Sequence, residues 1–293
     1  MKCFKVICLA LVLSMLGACT NPEYEKVEDT TNNSTSTTQN QERNITETLV
    51  LPEPMAEGKS YSTEKIAHSY GVAKNGVANE ISINAQKFFE ENNFNAFCLD
   101  TKTKDKVLYL TFDCGYENGY TSKILDVLKE KKVNATFFCT LPQVKDEPEL
   151  IQRMIDEGHI VGNHSVTHPS FAEISTSQIT EEIKGMEEYL KENYNYCEPY
   201  FRFPMGEYSE LALNTIGSLG YTSVFWSLAY ADWDLNNQKG ADYARETVMS
   251  RIHPGAVILL HSVSPDNANA LADIIDSARA QGYEFKSLRD YGN

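Results

Sequence analysis

The sequence predicts an α/β fold in which short strands alternate with helices along a parallel sheet or barrel. Three observations predict it. From Lys106 onward, seven short apolar runs recur near residues 106–112, 135–139, 159–163, 199–203, 221–226, 256–261 and 283–285. The stretches between most of them carry apolar residues at helical spacing. Residues able to do acid–base or metal chemistry follow the runs directly, where α/β folds place their sites. Periodicity alone leaves open whether the sheet closes.

The chain begins with Lys2 and Lys5, an apolar run from Val6 to Leu16, and then Leu16-Gly17-Ala18-Cys19. That run is too short to span a bilayer, and small residues follow it, as in a cleaved export signal. Leu-Gly-Ala-Cys also resembles the bacterial lipoprotein box, with Cys19 as the lipid-modified first residue of the mature protein. Ordinary secretion with cleavage nearby is the alternative. Residues 28–48 contain a single aliphatic residue, Ile45, too little apolar surface to offset chain entropy. The expected organisation is therefore a lipoprotein signal peptide over 1–18, a tether over 19–60, an extension over 61–104 packing on the barrel, and a catalytic domain over 105–293. The expected location is the outer side of the bacterial cytoplasmic membrane, through a lipid anchor at Cys19.

In the first strand Leu108, Leu110 and Phe112 alternate with Tyr109 and Thr111, and the run stops at Gly115 after Asp113 and Cys114. A lone carboxylate there is either a helix cap or a catalytic group. The next stretch, Gly119 to Lys131, sets Ile124, Leu125, Val127 and Leu128 on one side and reads as a helix, as does 178–194. Cys139 sits inside the apolar run from Ala135 and reads as a small core residue. The third strand leads into Asn163, His164 and His168, and the fourth into Arg202 and Pro204. Asp232 and Trp233 follow the fifth, and His261 ends the sixth.

Composition narrows the partners. Loss of residues 1–18 removes two lysines and no acids, taking the formal charge from −15 to −17, which excludes nucleic acid as a natural partner. An acidic surface also repels long polyanions, leaving a small or neutral-sugar ligand. The remaining cysteines, Cys98, Cys114, Cys139 and Cys197, contain no C-x-x-C pair and suggest no disulfide framework. His68, His159 and His253 read as packed or solvated.

His164 and His168 lie four residues apart, which would put both imidazoles on one side of a helical turn and let them share a metal ion, zinc by their chemistry. A third ligand could come from Cys114, from Asp113, or from neither, with water completing the site. A metal lowers the pKa of bound water, and a nearby carboxylate can take the proton as that water attacks a carbonyl. Asp113 suits that base, Arg202 would pair with it, and His261 suits the acid that protonates an amine leaving group. Asp232 would hold His261 protonated. Tyr116, Asn118, Pro204 and Trp233 are candidate substrate contacts, the aromatic faces suiting sugar rings. Trp226 reads as core.

TFDCG (111–115), HSVTH (164–168), RFPMG (202–206), Asp232-Trp233 and Leu259-Leu260-His261 resemble, in order, the five motifs of the polysaccharide deacetylases, the NodB-homology domain or carbohydrate esterase family 4. The resemblance covers about residues 105–290. The longer phrases TFDCGYENGYT, DEGHIVGNHS, NNQKG and HPGAVILLHSVS resemble the branch of delta-lactam-biosynthetic de-N-acetylases. The resemblance implies a distorted (β/α) barrel of about seven parallel strands and a monomeric, metal-dependent deacetylase. Its substrate would be N-acetylmuramic acid of the peptidoglycan glycan strand, its product leading to the muramic δ-lactam of spore cortex. It further implies Asp113 as base, His164 and His168 as metal ligands, Arg202 as the residue orienting the base, and His261 as acid. Cys114 stands where the family usually has a second, metal-binding aspartate, so it is either a ligand or a bystander. Two readings compete. One is deacetylation of N-acetylglucosamine in peptidoglycan or chitin, or of acetylated xylan. The other is a catalytically silent wall-binding lipoprotein.

Overall fold

The computed structural model describes residues 60–292. The signal peptide, Cys19 and nearly all of the tether expected from the sequence lie outside the described residues. In chain order the elements are β1 (Ile66–Ala67), α1 (Glu80–Glu91), β2 (Ala96–Phe97), β3 (Val107–Cys114), α2 (Thr121–Lys131), β4 (Thr136–Cys139), α3 (Leu141–Asp146), α4 (Pro148–Asp156) and β5 (Ile160–Asn163). They continue with α5 (Thr176–Tyr194), β6 (Tyr200–Phe201), β7 (Glu207–Tyr208), α6 (Glu210–Ser218), β8 (Thr222–Val224), α7 (Ala241–Met249), β9 (Ala256–His261), α8 (Pro265–Ala280) and β10 (Glu284–Lys286).

Eight strands form one sheet in which every pairing is parallel, and each of the seven apolar runs of the sequence contributes one of them. The order β3-β4-β5-β6-β8 curls round, and β9 pairs the other edge of β3. A single parallel bridge from Ile258 of β9 to Leu228, just beyond β8, brings the curl towards closure. The sheet is thus the distorted barrel that the motifs imply. The eighth strand is β2, which pairs β8. Segment 61–104, expected to lie against the barrel, therefore adds a strand to its sheet.

β3 is buried along its whole length because side chains alternate between two apolar environments. Leu108, Leu110, Phe112 and Cys114 face the helix layer, packed with Ile124, Leu125 and Leu128 of α2. Val107 and Tyr109 face the barrel interior with Phe138, Ile160, Val224 and Val257. Asp113 shares the parity of Tyr109 and emerges at the top of the interior. Its place follows from the period of the strand.

The helices start where capping chemistry permits. Ser175 and Gln178 form a reciprocal capping box at α5, and Ser264 caps α8 with Pro265 in its first turn. The helix expected from Gly119 begins at Thr121, because Gly119 takes φ +82° and turns the chain out of β3.

Candidate active site

Asp113 ends β3 among groups that all favour its ionised form. Its Oδ1 accepts a 2.7 Å hydrogen bond from Arg202, and its Oδ2 lies 3.6 Å from His164 Nε2. Burial by itself would raise the carboxyl pKa, but Arg202, His164 and His261 together outweigh it and hold Asp113 below the ordinary carboxylate range. Arg202 is wholly buried and correspondingly well satisfied. Its Nε donates to Val224 O at 3.0 Å, and its guanidinium stacks 4.2 Å from the Phe138 ring centroid. A guanidinium so fixed cannot follow solvent, so it aims Asp113.

The two motif histidines meet without a helix. Segment 164–168 is a tight loop with Ser165 at φ +75° and His168 at φ +58°, which corrects the helical turn expected from the four-residue spacing. Left-handed backbone at side-chain-bearing residues costs on the order of 1–3 kcal/mol each and needs support. Support comes from three sides. Asn163 Oδ1 accepts from Ser165 N at 2.9 Å, and Ser165 Oγ accepts from His168 N at 2.9 Å. Glu182, on α5, accepts from both Val166 N and Thr167 N at 2.8 Å and from the Thr167 hydroxyl at 2.5 Å. The imidazole rings end with centroids 4.9 Å apart.

His164 Nδ1 donates to the carbonyl oxygen of Arg202 at 2.8 Å. Because a carbonyl only accepts, the ring proton is on Nδ1 and the Nε2 lone pair faces Asp113 and the cavity. Burial drives the His164 pKa down to about 4, so the ring is neutral at physiological pH and its 3.6 Å approach to Asp113 is not an ion pair.

His261, at the end of β9, is held by the opposite logic. Its Nδ1 donates to Asp232 Oδ1 at 2.6 Å, and its backbone N–H donates to Asp232 Oδ2 at 2.8 Å. Burial by itself would lower the imidazole pKa, but Asp232 more than offsets this and raises it above 6.5. Asp232 is fixed in turn by Asn267, whose Nδ2 donates to Oδ2 and whose own Oδ1 accepts from the Tyr230 hydroxyl. Sequence reasoning missed Asn267; its place three residues after the Ser264 cap is the only local signal.

Asp113, His164, His168 and His261 open into one cavity of about 820 Å³. Tyr116, Trp233 and Met205 stand exposed on its wall, and Trp233 meets His261 edge-on at 5.6 Å. Trp226, expected as core, is buried yet also reaches the cavity, as do Ala67, His68, Ser69 and Tyr70.

Three expected site residues are elsewhere. Cys114 lies in the helix-facing core beside Cys139, its cross-strand neighbour, on the opposite face of β3 from Asp113. Strand alternation therefore turns its thiol away from the cavity. Asn118 donates to Val263 O at 2.9 Å and ties two loops together without lining the cavity. Pro204 is buried at the start of a tight turn in which Met205 takes φ +57° and Gly206 φ +67°. A Cβ at Gly206 would stand 2.8 Å from both the His68 carbonyl oxygen and the Trp226 ring, so only glycine fits where the loop crosses.

Residues 100–224 match the family model described as polysaccharide deacetylase. The peptidoglycan-N-acetylmuramic acid deacetylase PdaA of Bacillus subtilis is 51% identical over 198 residues, covering 67% of this chain and 75% of that protein. The chain belongs to the polysaccharide deacetylase family. Among solved structures, that of Bacillus subtilis PdaA, a family 4 carbohydrate esterase, superposes on this deacetylase with a TM-score of 0.75 at 44% identity, covering 78% of this chain and 97% of that one. A peptidoglycan-N-acetylglucosamine deacetylase of Bacillus cereus is 34% identical over 185 residues, covering 61% of this chain and 66% of that protein.

Deacetylases of this family are generally metal-dependent. In this one the donors that fit a divalent ion are the Nε2 lone pair of His164 and the adjacent His168 ring, beside the Asp113 carboxylate that Arg202 holds. Among the described residues no group of three or more His, Cys, Asp or Glu side chains is placed to hold a metal ion together. Two imidazoles would leave the remaining positions of such an ion to water and substrate.

Proposed function

We propose that this deacetylase removes the acetyl group from N-acetylmuramic acid residues of peptidoglycan. One observation carries the reading: two oppositely tuned pairs, Asp113–Arg202 and His261–Asp232, flank a neutral His164 in a single cavity. One group is held ionised to accept a proton, the other held protonated to give one. The likeness to PdaA of Bacillus subtilis supports the choice of sugar.

Asp113 Oδ2, its partner oxygen tied to Arg202, accepts the proton of the water that attacks the acetyl carbonyl. His261 donates its Nε2 proton to the amine as the carbon–nitrogen bond breaks, leaving acetate and a free amino sugar. A divalent ion bound by His164 and His168, zinc by its preference for imidazole, would polarise the carbonyl and acidify water. Trp233 and Tyr116 offer faces on which a pyranose ring can stack. Asp232 keeps His261 charged and oriented. The amine so formed would condense with the neighbouring lactyl carboxyl, its nitrogen replacing the carboxyl oxygen that leaves as water, to give the muramic δ-lactam of spore cortex.

The N-terminal sequence supports a lipoprotein signal over 1–18, lipid on Cys19 and a tether over 19–60, which would hold the enzyme, a monomer on this reading, on the outer side of the cytoplasmic membrane. On this reading 61–104 and 105–293 act as one catalytic unit. Cys19→Ala should move the protein from the membrane fraction to the medium, and retention with the membrane would refute the anchor.

Protein lacking residues 1–19 should release acetate from peptidoglycan only after an amidase has stripped the stem peptides. Release from chitin oligomers but none from stripped glycan would replace this reading with N-acetylglucosamine deacetylation.

A further inference from the structure

Part of the cavity wall comes from a segment outside the residues that match the family model. The arm Ala67 to Tyr70 lies ahead of residue 100, yet all four residues line the cavity that holds Asp113 and His261. The arm is pinned along its length. β1 pairs β7 antiparallel, His68 N donates to Gly206 O at 2.9 Å, and the His68 ring meets Trp226 O at 2.8 Å. Past Tyr70, a Cβ on Gly71 would stand 2.5 Å from Asn79 Oδ1, and Asn79 itself donates to Ser227 O at 2.9 Å. So anchored, the arm is a fixed wall.

Its chemistry is specific. The Tyr70 ring packs on Trp226, Ala229 and Leu259, while the hydroxyls of Ser69 and Tyr70 make no hydrogen bond among the described residues. Of the other hydroxyls at the cavity, those of Thr140 and Thr167 are already committed, to Gly115 O and to Glu182, and that of Tyr116 belongs to an exposed side chain away from the arm's anchored wall. Among the described residues no lysine or arginine lines the cavity. The charged imidazole of His261 is turned to the acetamido group on this reading, so a carboxylate bound away from it meets neutral donors, and two adjacent ones stand on the arm.

We propose that Ser69 and Tyr70 form the subsite for a carboxyalkyl ether on the sugar carbon next to the acetamido group. The inference rests on the muramic acid reading and names where that sugar is distinguished from N-acetylglucosamine. When the acetamido group sits at Asp113 and His261, the neighbouring carbon carries its substituent into the same cavity. A lactyl group offers a methyl to the Tyr70 ring and a carboxylate to the two hydroxyls. N-acetylglucosamine has neither and leaves them solvated.

The test uses the protein without residues 1–19, assayed on peptide-free glycan strands and on chitotetraose. Tyr70→Phe removes one hydroxyl and keeps the packed ring, so folding is not at stake. Its KM on the glycan strands should rise about tenfold, the worth of a hydrogen bond to a charged group, with kcat little changed. Ser69→Ala should act in the same sense. The binding constant for chitotetraose, as substrate or as inhibitor, should move far less. An unchanged KM on the glycan strands, or an equal rise for both ligands, would overturn the subsite. Failure of the wild-type protein on stripped glycan would instead remove the muramic acid reading, and the subsite with it, before any variant is compared.

Discussion

Asp113 and Arg202 meet at 2.7 Å, 89 residues apart in sequence, with the arginine wholly buried. Removing either partner of such a pair strands the other charge in the barrel interior, at a cost of about 3–5 kcal/mol. Arg202→Met should therefore lower the melting temperature by more than a surface substitution does, and acetate release should fall at least 100-fold because Asp113 loses its aim. Asp113→Asn should abolish turnover while zinc binding, read by calorimetry, persists. Retained turnover in Asp113→Asn would remove it as the base.

The His261–Asp232 pair sets the alkaline side of the pH profile. Asp232 raises the His261 pKa, so protonated His261 persists above pH 6.5, and kcat/KM falls as pH rises through the raised value. In Asp232→Asn that fall should begin at lower pH, with a reduced plateau. Stability follows the same sign. The pair contributes fully below about pH 6.5, the unfolded imidazole value, and its contribution is lost as pH rises through the folded one. Asp232→Asn should thus cost more in melting temperature at pH 6 than at pH 9, and an equal loss at both would contradict the assignment.

Glu182 supports the histidine loop from α5 through three hydrogen bonds. Glu182→Ala should loosen the left-handed turn at Ser165 and His168 and weaken zinc binding to the chelator-stripped protein by about 10–100-fold. Chelation should stop acetate release, and zinc should restore it in the wild type at lower concentration than in the variant. Identical zinc isotherms would show that the loop keeps its shape without Glu182.

Cys114 faces the helix-side core. Cys114→Ser should leave the zinc isotherm unchanged and lower the melting temperature by a few degrees, since it places a hydroxyl among Ile124, Leu125 and Phe112. A weaker isotherm would bring the thiol back as a ligand.

The strand period made Asp113 legible in the sequence as an acid at a strand end, and the histidine spacing made His164 and His168 legible as a pair. The seven apolar runs located the seven strands they became, because buried parallel strands leave a local signal. The arm at Ala67 to Tyr70 left none. Its role depends on β7, Gly206 and Trp226, which lie more than 130 residues away. Asn267 and Glu182 are ordinary polar helix residues until the fold brings them to Asp232 and to the histidine loop.

The sequence by itself determined the alternation of strands and helices and the inventory of reacting groups, since both rest on residue type and short-range period. Only the tertiary structure decided which face of β3 each neighbour occupies, and so separated Asp113 in the cavity from Cys114 in the core. It alone decided the protonation states as well. His164 is neutral because it is buried, and His261 is charged because Asp232 is folded against it, and neither burial nor partner is a property of the local chain.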